Sequence, residues 1–118
     1  MKNTHNLTPA QIKRNRLFVT ALRMNKKKAR NTMRNDKGGR CCLCVAYDVA
    51  QANGAKLPKL PDGSSFPPPH IGNWYGWDSY DPVLGRMGRT ASEYNDGSDN
   101  AAISHRKIAA LFESKYLK

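Results

Sequence analysis

Acidic residues are nearly missing from the first third of this chain. Residues 1–40 hold one acid, Asp36, against twelve bases: Lys2, Lys13, Arg14, Arg16, Arg23, Lys26, Lys27, Lys28, Arg30, Arg34, Lys37 and Arg40. Residues 41–118 hold eight acids and eight bases, so the net charge of +11 arises entirely from residues 1–40. Also missing is any run of about 18 apolar residues, which excludes a helical membrane span. The N-terminus lacks the apolar stretch of a secretory signal, which predicts a cytoplasmic protein, in the host cytoplasm if a phage encodes it. Cysteine is scarce. Cys41, Cys42 and Cys44 are the only three, an odd and crowded set that makes no disulfide framework and predicts reduced thiols.

Several signatures are absent as well. Without a Gly-x-x-x-x-Gly-Lys-Ser/Thr loop, the Lys37-Gly38-Gly39-Arg40 phrase reads as a hairpin turn before it reads as a phosphate cradle. No helix-turn-helix, zinc-finger, RNP or KH pattern accompanies the charge, so sequence-specific reading of bases has no support. The acids are scattered through turns and caps, which gives paired-carboxylate chemistry no footing.

What is present predicts a small α+β fold, mostly helical, with three to four helices and a short β-hairpin. Residues 1–7 are polar and predict a flexible terminus, and 8–118 predict a single compact domain with a strongly basic N-terminal third. At 118 residues and 39% hydrophobic content, the chain can bury a modest core without metals or disulfides. Thr8, Pro9 and Gln11 form a helix-start signature, with an N-cap, proline at the first helical position and a capping box. Ile12, Phe18, Val19 and Leu22 then share one face, widened by Leu17 and Ala21, while Lys13, Arg14, Arg16, Thr20 and Arg23 take the other.

Turn residues at 35–39 between two short segments predict the hairpin at 29–42. From Leu43 the pattern is helical, with Val45, Ala46, Val49 and Ala50 inside and Gly54 as a left-handed stop. Residues 55–69 have loop composition with a stiff polyproline end. Pro69 opens a short helix through His70, Ile71, Trp74 and Tyr75, closed by Gly76. Residues 85–90 read as a turn or flexible loop. A last helix, capped by Ser98 or Asp99 and carrying Ala101, Ile108, Leu111 and Phe112 on one side, is expected to pack against the first.

Four phrases in this order resemble a group of small uncharacterised phage and bacterial proteins. They are Phe18-Val19-Thr20-Ala21-Leu22-Arg23; Cys41-Cys42-Leu43-Cys44-Val45-Ala46-Tyr47-Asp48-Val49-Ala50; Pro68-Pro69 leading to Asn73-Trp74-Tyr75-Gly76-Trp77-Asp78; and Asn95-Asp96 with Ile108-Ala109-Ala110-Leu111-Phe112-Glu113. The second is similar to the group's Cys-Cys-Leu-Gly-Val-Leu-Cys-Asp phrase. Cys44 stands where the group has glycine, Tyr47 where it has a third cysteine, and His105 where phenylalanine is common. The resemblance implies a compact domain often carried by phages and confers no activity.

Three kinds of chemistry remain to be weighed. Cys41, Cys42 and Cys44 with His70 or His105 carry zinc-ligand atoms. Neighbouring side chains diverge, however, and no Cys-x-x-Cys pair is present, so burial of small apolar thiols is the plainer reading. Cys42 near a helix N-terminus beside Arg40 has the setting of an activated thiol, but a base and an orienting group drawn from His70, His105, Asp48 and Asp96 would be guesses. No enzyme, metal or cofactor is predicted on these grounds.

The basic surface carries more weight. Phosphates reward dense cations through counterion release. A non-enzymatic binding protein for a polyanion is therefore predicted, with nucleic acid or a nucleotide contacted by the bases between Lys13 and Arg40. Trp74, Tyr75 and Trp77, with Tyr80 nearby, are candidate stacking surfaces. The alternative, suggested by the phage-like resemblance, is an accessory or counter-defence protein that binds an acidic host protein or sequesters a signal nucleotide. The first helix is amphipathic and cationic but lacks tryptophan on its apolar face, which the core needs, so no membrane role is predicted.

Overall fold

The computed structural model describes residues 6–25, 41–59, 66–96 and 103–117. Among them lie α1 (Pro9–Met24), α2 (Cys42–Ala52), α3 (Ile71–Tyr75), β1 (Val83–Leu84), β2 (Arg89–Thr90), α4 (Ala91–Asp96) and α5 (His105–Tyr116). This is a small α+β domain, mostly helical with one antiparallel hairpin. No helix among the described residues is long and apolar enough to cross a membrane.

Local chemistry sets the helix ends. Thr8 Oγ1 accepts the Gln11 N–H at 3.1 Å while the Gln11 side chain accepts the Thr8 N–H at 3.0 Å, so the capping box closes in both directions. Gly54 and Gly76 both adopt positive φ, +88° and +79°, just after α2 and α3. At Gly76 a second constraint applies, because a Cβ there would collide with Leu7 and Gln11.

Helix α1 packs most extensively on α5, then on α2 and α3. Phe18 is fully buried at this junction, with its ring edge-on to Phe112 at 4.8 Å and to Trp77 at 5.5 Å. Edge-to-face pairs of this kind add to the burial of the rings themselves. Leu22, Ile108, Ile71 and Leu43 complete the core.

Three expectations are corrected. The observed hairpin pairs Val83 with Thr90 and Leu84 with Arg89, so β2 falls within residues 85–90, which read as a turn or flexible loop, and β1 falls just before them. The expected hairpin at 29–42 lies, up to residue 40, outside the described residues. The last helix starts at His105, where Ser104 Oγ accepts the Lys107 N–H at 3.2 Å; Ser98, Asp99 and Ala101 lie outside the described residues. Five helices lie among the described residues where three to four were expected, and the extra one is α4. Its start is a second capping box, with Thr90 Oγ1 accepting the Glu93 N–H at 3.3 Å and Glu93 Oε1 accepting the Thr90 N–H at 2.9 Å.

Candidate functional site

Because Asn15, Phe18, Val19 and Leu22 are buried, the 3.6-residue period turns Lys13, Arg16, Thr20 and Arg23 outward. Lys13 and Arg16 are exposed and have no partner among the described residues. Two further bases of the helix, Arg14 and Arg23, are engaged. Arg14 donates to the Trp74 carbonyl at 2.9 Å, and its guanidinium lies 4.5 Å from the centre of the Trp74 ring. Arg23 forks onto both Glu113 oxygens at 3.4 Å, a half-exposed pair worth about 0–1 kcal/mol, so that side chain stays available to a better anion.

Lys26, Lys27, Lys28, Arg30, Arg34, Lys37 and Arg40 lie outside the described residues. Their segment joins the C-cap of α1, Asn25, to the N-cap of α2, Cys41. Both flanking helices bury a face in the core.

The aromatic candidates separate by burial. Tyr75 is fully buried and stacks on Trp77 at 4.5 Å with planes 10° apart, and its hydroxyl donates to the Ala46 carbonyl at 2.6 Å. Burial, moderated by the Arg14 charge, pushes that phenol well above its ordinary range. Trp77 is also buried, with Nε1 donating to Asn15 Oδ1 at 2.8 Å. These two are not stacking surfaces: their polar atoms are satisfied internally, so nothing opposes burial of their large apolar area. Trp74 is half-buried, with Arg14 over its ring and its plane edge-on to Tyr75. Among the described Phe, Tyr and Trp side chains, the exposed ones are Phe66 and Tyr80.

All three cysteines are buried. Cys41 caps α2, with Sγ accepting the Cys44 N–H at 3.2 Å. Burial pushes its thiol up to about 11, against the partial pull of the Cys44 and Leu43 N–H groups. The N–H groups at a helix N-terminus lower a thiol's pKa and burial raises it, and here burial dominates. Cys42 Sγ donates to the Ala91 carbonyl at 3.6 Å and Cys44 Sγ to Asp48 at 3.8 Å. His105 reaches Asn95 Oδ1 with Nε2 at 3.1 Å, and the same oxygen accepts the Cys42 N–H at 3.1 Å. Asn95 thus ties the starts of α2 and α5 together. His70 is exposed. No group of three His, Cys, Asp or Glu side chains among the described residues is placed to hold a metal ion.

An open groove of about 530 Å³ runs between α1 and α2, lined chiefly by Leu17, Ala21, Met24, Val45 and Val49, with Asp48 as its one charged side chain. Leu17 and Met24 are substantially exposed there. Comparison of the chain with protein-family models, curated proteins and solved structures found no match.

Proposed function

We propose that this chain is a non-enzymatic binding protein for a polyanion, with nucleic acid or a nucleotide as the partner and the bases from Lys13 to Arg40, apart from the Trp74-bound Arg14, as phosphate neutralisers. One observation carries the reading: twelve bases and one acid in residues 1–40 against a balanced remainder. A solvated surface needs no such segregation, whereas a phosphate chain rewards each added cation by releasing condensed counterions. On α1, the exposed Lys13 and Arg16 precede the denser run at 26–40 in the chain. A cytoplasmic setting belongs to the same reading.

A second reading, docking onto an acidic host protein as a phage accessory factor, draws support from the groove between α1 and α2. Its exposed Leu17 and Met24 lie on the same helix as the basic face, as an interface with an apolar centre and charged rim requires.

Binding of the purified, nuclease-treated chain to labelled single-stranded and duplex DNA and RNA across a salt series separates the two. The proposal expects log K to fall linearly with log salt, with a slope of about 0.7–0.9 per phosphate neutralised. Absence of binding at low salt would overturn it and leave the acidic protein as the partner to pursue.

A further inference from the structure

We propose that Phe66 and Tyr80 form a seat for one unpaired base of a bound strand; this rests on the nucleic-acid reading above. The two rings are 46% and 37% exposed, their centres are 5.7 Å apart, and their planes meet at 86°. Two exposed rings at a right angle make an open corner. A base laid on the face of one ring brings its edge against the other, and every base has a face to offer.

Packing satisfies the other tyrosines and leaves this one over. The hydroxyls of Tyr47, Tyr75, Tyr94 and Tyr116 bond to the Pro58, Ala46 and Leu84 carbonyls and to Asp78 respectively. The Tyr80 hydroxyl has no partner among the described residues, and its side chain is partly open to solvent.

Both rings are also anchored to the same short helix. Phe66 precedes Pro67, Pro68 and Pro69, whose fixed φ angles stiffen the approach, and the Pro68 carbonyl accepts the Ile71 N–H at 3.1 Å. On the other side the chain passes so close to Gly72 that a Cβ there would lie 3.1 Å from the Ser79 carbonyl and 3.2 Å from the Tyr80 nitrogen. The corner is therefore held before any ligand arrives, which lowers the ordering cost of binding. Helix α3 also carries Trp74, on which Arg14 rests. The corner and the basic face of α1 thus share a support.

The test uses the full chain with two labelled strands of equal length, an oligodeoxythymidine and its abasic analogue. Phe66→Ala and Tyr80→Ala should each weaken binding of the base-bearing strand by about tenfold. The salt slope should not change, because no phosphate contact is lost, and neither should affinity for the abasic strand. Tyr80→Phe, which keeps the ring, should bind as the unaltered chain does. If an alanine variant fails to fold by thermal unfolding, Phe66→Leu and Tyr80→Leu are measured instead, with the same expectation. Equal loss on both strands, or loss on neither, overturns the seat while leaving the basic-segment reading intact. No binding of either strand by the unaltered chain overturns the seat, and absence of binding to duplex DNA and RNA as well overturns the basic-segment reading with it.

Discussion

Asn15 Oδ1 accepts the Trp77 indole N–H at 2.8 Å, while its amide nitrogen donates to the Tyr75 carbonyl at 2.8 Å and to the Gln11 carbonyl at 2.9 Å. One buried amide thus joins α1 to both ends of the turn that follows α3. Replacing Asn15 by alanine strands the Trp77 donor and the Tyr75 acceptor inside the core. At about 1–3 kcal/mol for each of the two buried groups left unpaired, Asn15→Ala should destabilise the domain by roughly 2–6 kcal/mol. Urea unfolding measures this, and a loss under about 0.5 kcal/mol, the scale of a neutral surface change, would contradict the role given to the amide.

Arg14 and Arg16 are near neighbours on α1 with different expected roles. Arg14 is committed to Trp74, and Arg16 points outward. Arg14→Ala should therefore lower stability by about 1 kcal/mol through the lost cation–π contact and hydrogen bond. Arg16→Ala should leave stability unchanged and reduce the salt slope of polyanion binding by about one phosphate. Thermal unfolding and a salt titration of both variants check the pair, and the reverse pattern would refute the assignment.

Asp78 supplies a test by pH. It accepts from Lys115 Nζ at 3.2 Å and 3.3 Å and from the Tyr116 hydroxyl at 2.6 Å. Burial by itself would raise this carboxyl; the hydrogen bonds from Tyr116 and Lys115 outweigh it and hold the group below its ordinary 3.8. A carboxyl depressed in the folded state stabilises the fold above its unfolded value, and that contribution is lost as pH falls through the folded value. Water reaches much of the Asp78–Lys115 pair, so the effect is on the order of 1 kcal/mol or less. Asp78→Asn should be the less stable form near neutral pH, and the difference should close in acid below about pH 3.8. A difference that stays constant with pH would show that charge is not involved.

The thiols should be inert in the folded chain. Cys41, Cys42 and Cys44 are all buried, and Cys41 is pushed up to about 11, so little thiolate forms near neutral pH. A maleimide should label the native protein slowly and the urea-unfolded protein at least about a hundredfold faster, as expected when modification requires opening of the core. Cys41→Ser, whose hydroxyl can accept the Cys44 N–H, should keep both fold and polyanion binding. Fast labelling of the native chain with loss of binding would return a reactive cysteine to consideration.

Much of the fold is legible in the residues, and its gaps have physical causes. The start of α1 and the ends of α2 and α3 follow from Thr8, Pro9, Gln11, Gly54 and Gly76, because capping and left-handed turns are local chemistry. Asn15 is hidden because a polar side chain on an apolar face looks like a defect until Trp77 and Tyr75 are seen to meet it. Its spacing from Ile12, Phe18 and Leu22 was the available signal. Helix α4 is six residues long and follows strands of two, too short to show a period; only the Thr90-x-x-Glu93 box announces it. Of the site, the charge is plain in the sequence. That Arg14 is committed to Trp74, or that Tyr75 and Trp77 are core while Phe66 and Tyr80 are not, depends on long-range packing that composition does not encode.

The central claim is that polyanion binding resides in the basic segment and not in net charge alone. Two triple variants with the same charge change decide it: Lys26, Lys27 and Lys28 to Glu, and the exposed Arg86, Arg106 and Lys107 to Glu. Measured against the same labelled strands at physiological salt, the first should lose binding by about a hundredfold or more, as removal of several phosphate contacts demands, and the second should stay within a few-fold. Equal losses, or an undiminished affinity in the first, would contradict the account.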